Sequence, residues 1–307
     1  MEEKRILCVG LTCLDIVTEV AGFPKEDTDQ RSAGMSWRRG GNASNNCTTL
    51  RNLQKSCEFF GAMSSLDNDV ASKFAEQDLS SLEIAFENCV RFPHPLPSSI
   101  ILLNNENGTR TIVHHRGGMP EITTEDFKKL DLTKYKWIHF EGRARTKSGE
   151  RPDVSEMIAH ALQERKKNPA LDFKVSVELE KTYEGVEGLG TEADVVFVSK
   201  EFTGKFGCES GDEMVKKFRE KIVKDAMLIC PWGDKGAFAS DAHGTYSSPV
   251  FSPEKVVDTI GAGDSFVGAT IAKLSEGMSL KDTIEFSCKY AGAKCGIMGL
   301  KDVPFPK

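Results

Sequence analysis

The chain of 307 residues is long for one simple domain and sufficient for one large α/β domain with an appendage. Hydrophobic residues make up 39% and are joined by 27 glycines, so a sizeable core is available and global disorder is excluded. With 40 basic and 46 acidic residues the formal charge is −6, which argues against nucleic-acid binding through a bulk basic surface but leaves room for a local cationic site.

Met1-Glu2-Glu3-Lys4-Arg5 leads straight into a short apolar run, unlike a secretory signal, and no apolar run of 18 residues follows anywhere. The nine cysteines form no C-x-x-C and their number is odd, so they read as reduced thiols of a cytoplasmic protein. On that reading the N-x-S/T triplets at Asn42, Asn46 and Asn107 are not glycosylation sites.

Arg5–Leu11 is a continuous apolar run ending near glycine, which predicts a strand buried on both faces of a parallel sheet. Residues 12–40 alternate, break at Phe23-Pro24 and carry Glu26-Asp27-Thr28-Asp29; they predict short exposed strands and turns. A helix rich in small residues is expected over Asn42–Asn52. Ser98–Leu103 and Thr109–Val113 flank Asn107-Gly108, the pattern of a β-hairpin. Strands are then expected at 137–140, 174–178, 195–198 and 227–230, and helices at 153–166, 211–223, 263–275 and 282–295. This rhythm of strand and helix is that of a parallel sheet covered by helices on both faces.

Two motifs carry chemistry. In Val256-Val257-Asp258-Thr259-Ile260-Gly261-Ala262-Gly263-Asp264 a β-prone run ends in glycines at the start of an apolar helical pattern. Glycines at a helix N-terminus let backbone N–H groups and the helix dipole face an anion. Asp264, just inside, is placed to take a proton from an attacking hydroxyl, although a plain helix cap would also account for the pattern. Near the N-terminus, Arg39-Gly40-Gly41-Asn42-Ala43-Ser44-Asn45 combines close backbone approach with amides suited to sugar hydroxyls; a helix capped by Asn42 is the alternative. Neither motif is a Walker A loop, and the absence of G-x-G-x-x-G weighs against a nicotinamide oxidoreductase.

Gly40–Asn45 and Asp258–Asp264 together resemble the two signatures of the ribokinase-like carbohydrate kinases, most closely their animal fructokinase branch. Ile6–Leu11, Lys136–His139, Glu141–Arg143, Val175–Glu178, Val195–Lys200 and Lys294–Gly296 extend the likeness over essentially the whole chain. It implies a Rossmann-like, mainly parallel sheet flanked by helices: a core of 1–11, 41–96 and 119–307, and a small β-sheet lid of 12–40 and 97–118 that clasps a second copy in a homodimer. It implies ATP-dependent phosphorylation of D-fructose to fructose 1-phosphate, with Mg²⁺ required and K⁺ a further candidate ion. Asp264 is then the catalytic base and Gly261, Ala262 and Gly263 the anion hole. Asp15, Gly41, Asn42 and Asn45 complete the sugar site. Arg110, Trp232, Gly233, Asp234, Lys235, Gly236, Pro253, Val256, Ala291 and Cys295 fall at nucleotide-site positions. From the residues alone, Asp15 also reads as a turn residue, Arg110 as an exposed hairpin arginine, 232–236 as an ordinary turn and Cys295 as packing. His114-His115 is no metal pair, because neighbours in a strand face opposite ways.

Ser199-Lys200-Glu201-Phe202 stands where many of these kinases carry N-x-x-E, which leaves the Mg²⁺ ligands open. Residues 64–97 differ from the fructokinases and leave the sugar preference open. The alternatives are a kinase of another sugar or of a nucleoside, and a sugar sensor without turnover.

Overall fold

A computed structural model describes residues 3–107, 109–143, 154–181, 186–204 and 206–306. Gly108 of the expected hairpin turn, Met1-Glu2 and residue 153 at the expected helix start lie outside them. The strands are β1 (Arg5–Val9), β2 (Cys13–Val20), β3 (Gly34–Gly40), β4 (Cys57–Phe60), β5 (Ala62–Ser64), β6 (Val90–Phe92), β7 (Ser98–Asn104), β8 (Arg110–His115), β9 (Tyr135–Glu141), β10 (Lys174–Leu179), β11 (Val195–Val198), β12 (Met227–Pro231), β13 (Ala237–Ser240) and β14 (Thr245–Ser248). The α-helices are α1 (Asn42–Asn52), α2 (Val70–Ser81), α3 (Thr124–Phe127), α4 (Val154–Lys167), α5 (Lys200–Gly204), α6 (Gly211–Arg219), α7 (Ala262–Leu274) and α8 (Leu280–Cys295).

Eight strands form the large sheet in the order β14-β13-β12-β11-β10-β9-β1-β4, parallel from β4 to β12 and antiparallel at β13 and β14. The two-residue period of a strand sends alternate side chains to opposite faces. Leu7 and Val9 therefore join one apolar cluster and Ile6 and Cys8 the other, each covered by helices. The expected sheet, parallel and flanked by helices, is thus present. A second sheet, in the order β3-β2-β7-β8, stands apart from it, and β5 and β6 form a small parallel pair.

Three boundaries differ from the sequence reading. The β-prone run before Gly261 is no strand: the N–H groups of Val257 and Asp258 donate to the Cys295 carbonyl at 2.8 and 3.2 Å, tying the segment to the end of α8. The helix expected over 211–223 stops at Arg219, whose guanidinium turns back onto the carbonyls of Val223, Lys224 and Ala226. The last helix begins at Leu280 because the Ser279 hydroxyl caps the Asp282 N–H. Helices α2, α3 and α5 and strands β4–β6, β13 and β14 have no counterpart in the sequence reading. Asp15 lies within β2 and is not a turn residue.

The second sheet has a row of exposed apolar side chains. Trp37, Ile16, Ile100 and Val113 sit in register across its four strands, and Trp37, Ile100 and Val113 are 42%, 52% and 61% exposed.

Candidate active site

The ends of α1 and α7 meet below the second sheet. Gly268 makes this close approach possible, since a Cβ there would stand 2.7 Å from Thr49 Cβ. The contact brings both glycine motifs together. Gly261 holds the left-handed conformation (φ 76°) that turns the chain into α7. Gly263 is exposed, and a Cβ on it would meet no atom within 4 Å, so the helix start opens onto free space. Asp258 braces the loop from below: its carboxylate accepts from the N–H groups of Ile260 and Gly299, both at 2.9 Å. Arg38 of β3 donates to the same carboxylate at 2.7 Å. Lys294, fully buried, donates to the Asp258 carbonyl at 2.6 Å.

Asp264 sits in the first turn of α7. Its Oδ2 accepts from Asn45 Nδ2 at 2.7 Å and its carbonyl from Asn46 Nδ2 at 2.9 Å, so two consecutive asparagines of α1 fix it. Burial raises its pKa to about 7; the Asn45 bond opposes this rise, and the charges of Glu180, Glu141 and Asp15 add to it. Gly41, at φ 97°, caps α1, and Asn42 is not the cap: its Nδ2 donates to Glu180 at 3.1 Å and Glu178 at 3.5 Å. Burial and the Asp264 charge push the Glu178 carboxyl well up.

Asp15 faces this group from the second sheet. Cys13 donates to its Oδ1 at 3.3 Å. Ser99 also bonds it, and the Ser99 hydroxyl lies 3.1 Å from His114 Nδ1. Burial raises the Asp15 carboxyl, and these hydrogen bonds work against the rise. Burial lowers the His114 pKa, as does the positive charge of Arg143. His114 thus has a side-chain partner in Ser99. Arg143 in turn bonds Glu141, whose other oxygen accepts from the Leu11 N–H at 2.8 Å.

The positions expected to hold a nucleotide fall into two neighbouring groups. Trp232 is buried at the tight β12–β13 turn, its N–H donating to the Gly236 carbonyl at 2.7 Å, with Gly233 and Gly236 both at positive φ. Asp234 and Lys235 project from the turn and are exposed. Lys200 Nζ stands 5.7 Å from the Trp232 ring centre. Pro253 and Val256 lie on the segment against the C-terminal half of α8, where Ala291 and Cys295 are found; a Cβ on Gly296 would stand 3.0 Å from Pro253 Cβ. Burial raises the Cys295 thiol, in keeping with packing. Arg110 stays apart. It is exposed opposite Leu103, about 13 Å along β8 from the Asp15–Ser99–His114 row at a strand's rise per residue.

The sequence reading overlooked Glu141, Glu178 and Glu180, which surround the Asp264 side, and the Arg38–Asp258–Lys294 brace. A signal existed for two of them. Glu141 ends β9 and Glu178 interrupts the apolar run of β10, and a carboxylate at the carboxyl end of a parallel strand points toward the ligand crevice.

Residues 3–306 match the pfkB family carbohydrate kinases. The chain is 36% identical over 307 residues to mouse ketohexokinase, covering 99% of this chain and 100% of that protein. Ribokinase from Giardia lamblia superposes with a TM-score of 0.79 at 17% identity, over 99% of this chain and 96% of that one. Arabidopsis thaliana ribokinase, solved with ribose and ATP, gives 0.74 at 17%, over 97% and 94%. These likenesses show the ribokinase-like fold. By the full-length match, this chain is a member of the pfkB family of carbohydrate kinases.

Proposed function

We propose that the protein transfers the terminal phosphoryl group of ATP to the C1 hydroxyl of D-fructose. One observation carries the chemistry: an aspartate at the open N-terminus of α7, its pKa raised to about 7, stands beside glycine amides. Asp264 takes the proton of the attacking hydroxyl. The N–H groups of Gly261, Ala262 and Gly263 receive the charge that builds on the transferring oxygens, at no cost of reorganisation. Asp15, Gly41, Asn42 and Asn45 bind the unreacting hydroxyls. The choice of fructose rests on the full-length likeness to ketohexokinase. The loop 232–236 and Pro253, Val256, Ala291 and Cys295 border the nucleotide, and Arg110 reaches its phosphates when the second sheet closes as a lid.

Among the described residues no three carboxylate, histidine or cysteine side chains are grouped to hold a metal. Glu178 and Glu180, which share the Asn42 amide, are the carboxylates that would hold Mg²⁺ together with the phosphates. Bound there, the ion would supply neutralisation of phosphate charge. The Lys294 ammonium holds the Asp258 carbonyl behind the loop before α7.

A coupled ADP-release assay over D-fructose, D-ribose, adenosine and D-glucose, with phosphorus NMR of the product, tests the reading. Fructose 1-phosphate is the expected product; turnover of adenosine or ribose alone would overturn the substrate while keeping the base.

Because the Asn45 bond holds the Asp264 pKa down, Asn45→Ala is expected to move the acid limb of the kcat–pH profile to higher pH, besides raising the fructose KM. An unmoved limb would count against Asp264 as the titrating base. The apolar row on the second sheet is the surface through which two copies clasp. Light scattering should give twice the chain mass at micromolar concentration, and Val113→Asp should halve it. Chain mass alone for the unmodified protein would refute the clasp.

A further inference from the structure

One histidine of the β8 pair is wired to the sugar side of the site. Asp15, Ser99 and His114 are register partners across three neighbouring strands: Asp15 of β2 pairs with Ser99 of β7, and Ser99 with His114 of β8. Register partners project to the same face of a sheet, and neighbours within a strand to opposite faces. His114 therefore shares the face of Asp15, and His115 does not. Asp15 and His114 stand two strand spacings apart, about 10 Å, with Ser99, 4% exposed, between them. On the other side of Asp15, its β3 partner Arg38 turns its guanidinium to Asp258.

The chemistry of the three groups sets the direction of each bond. A serine hydroxyl has one hydrogen to donate, and an ionised carboxylate can only accept. A hydrogen bond from Ser99 holds the Asp15 pKa down against the rise from burial. The same Ser99 oxygen lies 3.1 Å from His114 Nδ1. With its hydrogen on Asp15, Ser99 can only accept from the ring. His114 Nδ1–H thus donates to Ser99 Oγ, and the Ser99 hydroxyl donates to Asp15. The Cys13 thiol, the other donor to Asp15 at 3.3 Å, is a weak one. Burial and the Arg143 charge favour the neutral ring, and a neutral ring with its hydrogen on Nδ1 has none on Nε2.

We propose that His114 is a positioning residue for sugar binding, which through Ser99 fixes the Asp15 carboxylate toward the sugar hydroxyls. Donation from Nδ1 polarises the Ser99 hydroxyl and strengthens its bond to the carboxylate. Of the roughly four lone-pair sites of that carboxylate, one taken from the β7 side leaves others for hydroxyls entering the site. The role rests on the sugar site proposed above; the bond directions do not.

Two measurements on the full chain test this. The first needs no substrate: nitrogen NMR of the imidazole rings at pH 8, with His114→Asn to assign the signal. Hydrogen on Nδ1 is the expected result. Hydrogen on Nε2 would mean that Ser99 donates to the ring, and would overturn the proposal. The second measurement is turnover. His114→Phe keeps a flat ring without the donor. It is expected to raise the fructose KM about threefold to tenfold, the worth of one neutral hydrogen bond, and to leave kcat within about twofold. His114→Asn, whose amide N–H falls near the place of Nδ1–H, should recover most of that loss; a ring that serves only packing would not be replaced by an amide. Ser99→Ala cuts the path, so adding His114→Phe to it should raise KM no further. An unchanged KM in both single variants, or multiplied effects in the double variant, would overturn the role and leave the kinase reading intact. A parent that is inactive on fructose would overturn the kinase reading and the role together, with the ring tautomer still deciding the bond directions.

Discussion

Replacing Asp264 by Asn is expected to lower kcat by about 10²–10⁴-fold, the usual worth of general-base catalysis, while fructose still binds. The same substitution should make the unliganded protein more heat-stable at pH 8. The folded state raises this carboxyl from 3.8 to about 7, so over that interval it keeps a proton that the unfolded chain has lost. Ionising Asp264 therefore works against folding, increasingly as pH rises from about 4, and its full cost is present above about 7. An amide carries no such cost, and its oxygen still accepts from Asn45. The gain in Tm should be largest at pH 8 and shrink toward pH 5, at roughly 2–4 °C for each kcal/mol recovered. Glu178 adds to the effect, because the charge that raises its own carboxyl is removed with Asp264. Calorimetric melting at both pH values, beside turnover and fructose titration, gives the three readouts. A variant with near-parent kcat would remove Asp264 from the role of base. A variant that melts lower at pH 8 than its parent would show that the carboxylate is not under electrostatic strain.

That carboxylate was legible in the sequence because its neighbours in the chain announce it. Gly261-Ala262-Gly263 before an apolar helical pattern specifies an open helix start, and everything Asp264 needs from α7 lies within four residues. The same locality made α1 readable to its ends. What surrounds Asp264 from elsewhere was not readable in this way. Glu178 and Glu141 come to it from the ends of two parallel strands, and only the register of β9 against β10 sets them side by side. The Arg38–Asp258–Lys294 brace joins residues 220 and 36 positions apart, and a lysine within α8 reads as solvent-facing until the loop before α7 folds over it. The Val256-Val257 run shows the opposite failure. Its propensity favours a strand, but its N–H groups find the free carbonyl at the end of α8 first, a tertiary bond that local preference cannot anticipate. Asp15 falls between the two cases: its position alone read as a turn and only the likeness to the carbohydrate kinases gave it a role, while its place within β2 shows that a second sheet carries it to the site.

The glycine pair before α1 offers a way to separate sugar binding from folding. A Cβ on Gly40 would stand 2.0 Å from Asp15 Oδ2 and 2.4 Å from its Cγ, and its three nearest atoms all belong to that side chain. Gly40 is not among the residues at positive φ, so alanine suits its conformation. Gly40→Ala should therefore fold and displace the Asp15 carboxylate. Losing a charged hydrogen bond of about 1.5–3 kcal/mol predicts a fructose KM raised roughly 10- to 100-fold, with kcat less affected because Asp264 and the α7 amides are untouched. Gly41→Ala meets a different obstacle. It must hold φ 97° with its Cβ 2.2 Å from the Leu11 carbonyl oxygen, and backbone cannot swing aside as a side chain can. Its expected signature is a lowered Tm. The decisive comparison is a cycle with Asp15→Ala. If Gly40→Ala acts by displacing that carboxylate, it should add almost nothing to the KM of Asp15→Ala, whereas independent effects would multiply. Multiplication would mean that the missing Cβ at position 40 serves the sugar directly, with the sugar itself approaching the backbone that Asp15 only flanks.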